Sequence, residues 1–546
     1  MSEKRLKTDV LVIGGGMAGC FAAIKASEMG KNVALLDKAT LRRGGCVGPG
    51  MDHVSVGVHP DATTLEEAKL RSSDKRKELY DPNVLLRIDV ASYDRVQDLE
   101  AYGVPIREED GRYWWLRVPE RRSHLISYRG KDTKVKLGKA VEKTDTKIFE
   151  RTMGIELLKD NGRVIGAIGL NTRTGELTTF LAKAIILATG EAGRQYIEPD
   201  GPFMTYYPVT NTGDSQAMAY RAGAKMINME FVYNEYTLSR ASGGIPGVRT
   251  FKNMGKLINR NGDVVMKKSE DCVKRGFLMT KEIMEGRSPL YFDLRNLPED
   301  AIHWHERDME HEWPIAIEWF KQRNLDFRKT PIPIQVIPAC ILGGPLVDET
   351  FQTSIPGLYS AGAANSFVMG LTPSSASGYI AGEEAANYSS TVDLPEISDE
   401  SIEDIKKDIN APLNRQGGID PKELEIAIRG VVTDYVGYFK TEGLMLKGLD
   451  KLLELKSNFS DKAAAWNPHE LMRCCEVRNI FDMLEMHIRT SLYRTETRLR
   501  KFGLFVHYRV DYPYTDPNWE KLVVIQLDKN NNAVISTSEI PELKEA

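Results

Sequence analysis

Apolar and polar positions along the chain fall into blocks whose spacing predicts most of its elements. Val10 to Ile13 is a short apolar run that stops at three glycines, and Asn32 to Leu36 is a second run that ends in Asp37. Between them Ala18, Ala22, Ala23 and Ala26 return at helical spacing. That order predicts strand, tight turn, helix and strand, with a small-residue helix face suited to close packing on a sheet. Leu65 to Tyr102 carries apolar residues three and four apart and reads as helix. Strand-like runs return from Ile155 to Leu170, turn at "NTRTGEL", and end in "KAIILATG" at Lys183 to Gly190. A mixed, aromatic-rich stretch follows. The first pattern comes back in "GLYSAGAANSF" (Gly357 to Phe367) and the helix-like "SGYIAGEEAANY". Long amphipathic helices are expected from about 395 to 500, among them "CEVRNIFDMLEMHIRTSLYRTETRLR", with strand-like runs in the tail. These blocks divide the chain into 1–204, an insertion at 205–345, a return at 346–394, a helical unit at 395–500 and a tail at 501–546. The order predicts an α/β domain interrupted by an inserted cap and followed by a helical domain.

Gly14, Gly16 and Gly19 form a G-x-G-x-x-G turn between a strand and a helix, the context that this motif requires. Glycines there let backbone approach a pyrophosphate, whose charge sits at the helix N-terminus. Asp37, about 20 residues further on, is placed to accept a ribose hydroxyl. The turn alone does not separate FAD from NAD. No second such turn follows the insertion, so a built-in nicotinamide domain is not expected.

The 546 residues exceed a single core. A formal net charge of −4 gives no electrostatic reason to expect nucleic acid or an anionic membrane as partner. No apolar run approaches the ~18 residues of a spanning helix, and "MSEKRLKTDV" lacks a signal-peptide core. The cytoplasm is the expected location. The six cysteines include no C-x-x-C pair, so neither a metal clamp nor an iron–sulfur cluster is expected in this chain.

Several further segments resemble the fumarate reductase and succinate dehydrogenase flavoprotein family, in that family's order. They are "AIILATG", "NTGDSQAMAYRAGA", "IPGLYSAGAA", "ELMRCCEVRNIFDMLE" and "HYRVDYP". Within the family, "YYPVTNTGD" and "EIMEGRSPLY" are most similar to adenylylsulfate reductase alpha subunits. The resemblance implies an FAD domain with an inserted cap, chemistry at flavin N5 between isoalloxazine and cap, and an iron–sulfur, ferredoxin-like partner. It implies cofactor contacts from Gly14, Gly15, Gly16, Gly19, Asp37, Lys38, Gly45, Ala188, Thr189, Gly190, Asp214, Gly362, Asn365, Ser374 and Ser375. Ser374, Ser375 and Ser377 are expected just before a helix whose N-terminal amides stabilise negative charge at the flavin N1/C2=O end.

Departures from the family narrow the chemistry. Gly45 stands where quinone-linked members carry the histidine that attaches FAD, so noncovalent FAD is expected. Glu270 and Asp271 occupy the place of the proton-donating arginine, Ala339 that of a histidine, and "GLTPSSAS" lacks the carboxylate-binding arginine. Arg240 then becomes the candidate for holding an anionic or carbonyl-bearing substrate. Glu235, in place of a family histidine, becomes the candidate general acid. The expected function is the catalytic subunit of an oxidoreductase complex that acts on a small anionic or unsaturated substrate. Two alternatives stand beside it: the alpha subunit of a true adenylylsulfate reductase, and an electron-relay flavoprotein without a substrate of its own.

Overall fold

Strand Arg5–Ile13 lies at the centre of a parallel layer, between Val33–Asp37 and Leu177–Leu187. Lys147–Glu150 extends the layer beyond Val33–Asp37, and Leu358–Ser360 pairs in parallel with the end of Leu177–Leu187. Arg163–Asn171 and Thr152–Asp160 complete a seven-stranded sheet as an antiparallel meander. The central parallel strands are buried on both faces over most of their length, which is why they read as continuous apolar runs instead of alternating ones. In the computed structural model the described residues are 5–544, apart from 76–77, 119–122, 198–204, 206, 239–255, 267–274, 304–305, 307–313, 367, 369, 395 and 501–504.

The alanine face of helix Met17–Glu28 makes its tightest contact on a helix, not on the sheet. A Cβ at Gly378 would lie 2.2 Å from the Ala18 carbonyl oxygen, and one at Gly382 would lie 2.5 Å from that of Ala22. Glycines 378 and 382 face the alanines from helix Leu371–Ser389, so the two backbones touch across a seam of small residues. This contact binds the first and last pieces of the α/β unit together. The helical stretch from Leu65 breaks into Leu65–Lys75 and Pro82–Ala101. Asp81 caps the second by accepting from the Asn83 amide, and Pro82 fits a first helical position.

The insertion builds a second seven-stranded sheet around Ile332–Ile341 and its antiparallel neighbour Val232–Leu238. Phe505–His507 and Arg498–Arg500 add strands at one edge. Lys521–Leu527 and Ala533–Glu539 form a hairpin that pairs onto Met226–Ile227. The tail is thus joined to the inserted segment by backbone hydrogen bonds.

Helix Pro468–Tyr493, expected to be amphipathic, is buried along most of its length. Glu476, Asn479, Asp482 and Glu485 recur every three residues, a pattern that reads as a solvated face. Here they point inward, because cations from four other segments meet them.

Candidate functional site

The glycine turn is held shut from below and open above. The Gly14 amide donates to the Leu36 carbonyl at 2.8 Å, and the Ala188 amide donates to that of Ile13 at 2.8 Å. A Cβ at Gly14, whose φ is +111°, would lie 2.3 Å from the Ala188 oxygen, and one at Gly19 would lie 1.7 Å from the Gly14 oxygen. A Cβ at Gly16 would meet nothing within 4 Å. Gly16 therefore borders free space at the start of helix Met17–Glu28, where no side chain caps the first turn.

Asp37 fastens this turn. Its Oδ2 accepts from the Gly15 amide at 3.0 Å and its Oδ1 from the Ala39 amide at 2.6 Å. Burial pushes its carboxyl up, against these two amides and Lys134. Gly44 packs on the same carboxylate, and Gly45 takes φ +76° with room for only a tight Cβ, 3.1 Å from Gly16 Cα. A histidine at position 45 would be strained and would press on the glycine turn.

The returning segment supplies the opposite wall. Helix Leu371–Ser389 begins three residues before Ser374, so Ser374, Ser375 and Ser377 lie within its first two turns instead of preceding it. Pro373, tolerated in a first turn, is the sequence signal for that earlier start. Ser377 Oγ accepts from the Gly362 amide at 2.9 Å and donates to the Pro373 carbonyl, while Ser375 Oγ donates to that of Thr372. Gly370 takes φ +109°, and no side chain caps this helix either. Asn365 Nδ2 and Thr372 Oγ1 are buried without a hydrogen-bond partner among the described residues. Thr189 and Ser215 share hydrogen bonds of 2.8–3.1 Å, and Gln216 donates to the Gly190 carbonyl. A glycine-floored opening, two uncapped helix starts and orphaned polar atoms fit a dinucleotide that carries a pyrophosphate and a hydrogen-bonding ring.

Lys38 and Asp214 belong to a buried ladder of charges. Lys38 Nζ lies 2.7 Å from Asp214 Oδ2 and 3.0 Å from Glu476 Oε1. Arg194 pairs with Glu476 at 2.8 Å and with Glu425, Asn479 joins Asp214 at 2.8 Å, and Arg221 pairs with Asp482 at 2.7 Å. These pairings commit the charges of Lys38 and Asp214 to one another and to the helical unit.

Arg240 lies outside the described residues. Glu235 has its backbone on strand Val232–Leu238 opposite Ile337, and its side chain is likewise outside them. Ala339, at the family's histidine position, is fully buried in the neighbouring strand. His507 and Arg509 are buried, and Arg509 donates to the carbonyls of Ser491, Leu492 and Arg494, which is a structural role.

A cluster that sequence reasoning missed joins cradle to cap. Ala192 bridges both Thr212 and Ile341, so its neighbour Glu191 is fixed where the two sheets meet. Cys46 Sγ lies 3.3 Å from Glu191 Oε2, and Asn211 Nδ2 donates to both, at 3.4 Å and 3.1 Å. Cys340, with Tyr207 in hydrogen-bonding reach, lies within electrostatic range of Glu191 and Cys46. Burial pushes both thiols well up, with Glu191 adding to the effect, and it also raises the Glu191 carboxyl. These residues are far apart in sequence and individually ordinary, so only their meeting marks them.

Fold and site together define a dinucleotide-binding flavoprotein of oxidoreductase type. The chain belongs to the family whose model is described as "FAD binding domain", which matches residues 9–378, and a "Fumarate reductase flavoprotein C-term" model matches 426–542. It is an FAD-dependent oxidoreductase, a flavoprotein subunit like those of fumarate reductase and succinate dehydrogenase. An uncharacterized FAD-dependent oxidoreductase of Methanocaldococcus jannaschii is 28% identical, with 95% of this chain and 96% of that protein covered. One component of the fumarate reductase (CoM/CoB) of Methanothermobacter marburgensis is 26% identical, with 96% and 98% covered. Adenylylsulfate reductase from Archaeoglobus fulgidus shares the fold with a TM-score of 0.85 at 23% identity, covering 99% of this chain and 97% of that one.

Proposed function

We propose that the chain is the catalytic flavoprotein subunit of an oxidoreductase complex, acting on a small anionic or unsaturated substrate and exchanging electrons with an iron–sulfur partner. The observation that carries this reading is the seam at Glu191, where the cradle loop, the end of the central sheet and the cap strand Ile332–Ile341 converge. FAD, when bound there noncovalently, supplies hydride chemistry at its ring. The glycine turn and Asp37 hold its pyrophosphate and ribose end. Gly45, Ala188, Thr189, Gly190, Gly362, Asn365, Ser374 and Ser375 shape the ring end, and Lys38 with Asp214 braces the floor. The cap excludes water, Arg240 binds the anionic end of the substrate, and Glu235 is a candidate acid.

In this reading electrons cross to a separate iron–sulfur partner. The two relatives named for fumarate reduction and adenylylsulfate reduction make an electron-exchanging complex a natural context. No helix among the described residues is long and apolar enough to cross a membrane, and a cytoplasmic location is part of this proposal. The division at 204, 345, 394 and 500 serves as a working domain map.

The substrate limits of this reading are open to direct assay. With Ala339 in place of the histidine and no arginine in Gly370 to Ser377, a C4-dicarboxylate lacks its family partners. Each lost contact to a buried charge costs on the order of 2–5 kcal/mol. Reduced-dye assays with fumarate, and dye reduction with succinate, are expected to give no enzymatic turnover. Steady turnover of either would contradict the proposed substrate site.

A further inference from the structure

We propose that Cys46, paired with Glu191 and positioned by Asn211, is the proton donor of the active site, in the role that the family gives to an arginine and in preference to Glu235. This rests on the proposed function and extends it to the protein's own acid. Three observations support it. Cys46 follows Gly45, whose Cα side abuts Gly16, so its thiol belongs to the loop that lines the cofactor cradle. It is partly exposed, whereas Cys340 is buried. Its carboxyl neighbour among the described residues, Glu191, is buried and has Cys46 and Asn211 as side-chain hydrogen-bond partners.

Among the described residues, the groups that face the thiol are Glu191, Asn211 and Cys340, with Tyr207 behind Cys340. No cation is among them. A thiol in such surroundings stays protonated at neutral pH, as a general acid must. Burial and Glu191 both act in that direction.

The C=C bond of the substrate accepts a hydride, with both electrons, at the carbon β to its electron-withdrawing group. The Cys46 S–H bond breaks and the α carbon gains that proton. The thiolate regains its proton from solvent, to which Cys46 is partly exposed. The electrons come from the reduced cofactor, itself recharged by the iron–sulfur partner.

The test uses the FAD-loaded protein and needs no knowledge of the natural substrate. A thiolate touching an oxidised flavin gives a broad long-wavelength charge-transfer band. Alkaline titration of the wild type is expected to raise this band only above neutral pH. In Glu191→Gln it should rise at distinctly lower pH, and in Cys46→Ser it should never form. Then the dithionite-reduced protein is mixed with 1-nitrocyclohexene, whose hydride adduct is a nitronate visible in the ultraviolet. Wild type should deliver the nitroalkane, whereas Cys46→Ala should accumulate nitronate, with protonation slowed by roughly 10²-fold or more. A flavin that shows no band at any pH, or equal nitroalkane formation in Cys46→Ala, overturns the inference. So does reduced wild type that leaves the nitroalkene untouched. A purified protein without flavin would instead overturn the proposed function itself.

Discussion

Replacing Gly16 by valine is expected to give a folded, colourless protein. Wild type should be yellow and should release all its FAD into the supernatant on acid precipitation, because Gly45 offers no attachment point. At Gly16 a side chain meets no protein atom within 4 Å, and the backbone is extended with φ −71°, so the fold tolerates it. The new methyls fill the path of the pyrophosphate instead. Losing even two charge-assisted hydrogen bonds, at roughly 1.5–3 kcal/mol each, weakens FAD by about 10²- to 10⁴-fold. Gly19→Ala is the contrasting control, since its Cβ would sit 1.7 Å from the Gly14 oxygen. Its apoprotein should melt below the wild-type apoprotein, while that of Gly16→Val should match it. Yellow Gly16→Val protein would show that the pyrophosphate does not pass over this turn.

Glu476→Gln is expected to be the most destabilising single change in the helical unit. The wild-type carboxylate is fully buried between Lys38 and Arg194, with Arg473 adding a third cation at 3.2 Å. Burial alone would raise its pKa, but Arg194, Lys38 and Arg473 outweigh burial and hold it at about 2. Removing the charge strips Lys38 and Arg194 of one of the two carboxylates that each holds, at a cost of about 3 kcal/mol. The folded pKa lies below the unfolded one, near 4.3, so the contribution is complete above about pH 5. It fades as pH falls from about 5 towards 2, and it amounts to about 3 kcal/mol over that window. Denaturant titrations at pH 7 and pH 4 should therefore show wild type losing stability on acidification, and Glu476→Gln starting lower and losing less. Equal stabilities at pH 7 would show that the ladder contributes nothing to folding.

The cradle was legible from sequence because its chemistry is local. Gly14, Gly16 and Gly19 lie within six residues, and Asp37 follows one helix later, so spacing alone orders them. The ladder was not legible, because Lys38 and Arg194 meet Glu476 only after the chain folds across more than 280 residues. Its three-residue repeat from Glu476 to Glu485 looks like an exposed face, and only inward-pointing cations reverse that reading. The Ala18–Ala22 face was read for its closeness but not for its partner, since Gly378 and Gly382 are remote in sequence. Cys46, Glu191 and Asn211 gave no signal, each being ordinary until the sheets bring them within 3.4 Å. Residues fixed by a turn announce themselves, and residues fixed by tertiary packing do not.

The most direct test is to isolate the tagged chain anaerobically from its own cells and follow electrons in the complex. The expected result is an iron–sulfur protein recovered in fixed ratio, with FAD in this chain and clusters in the partner. Reducing the clusters should bleach the flavin within the same complex. Recovery of the chain alone, with a flavin that NADH or NADPH reduces directly, would contradict the account.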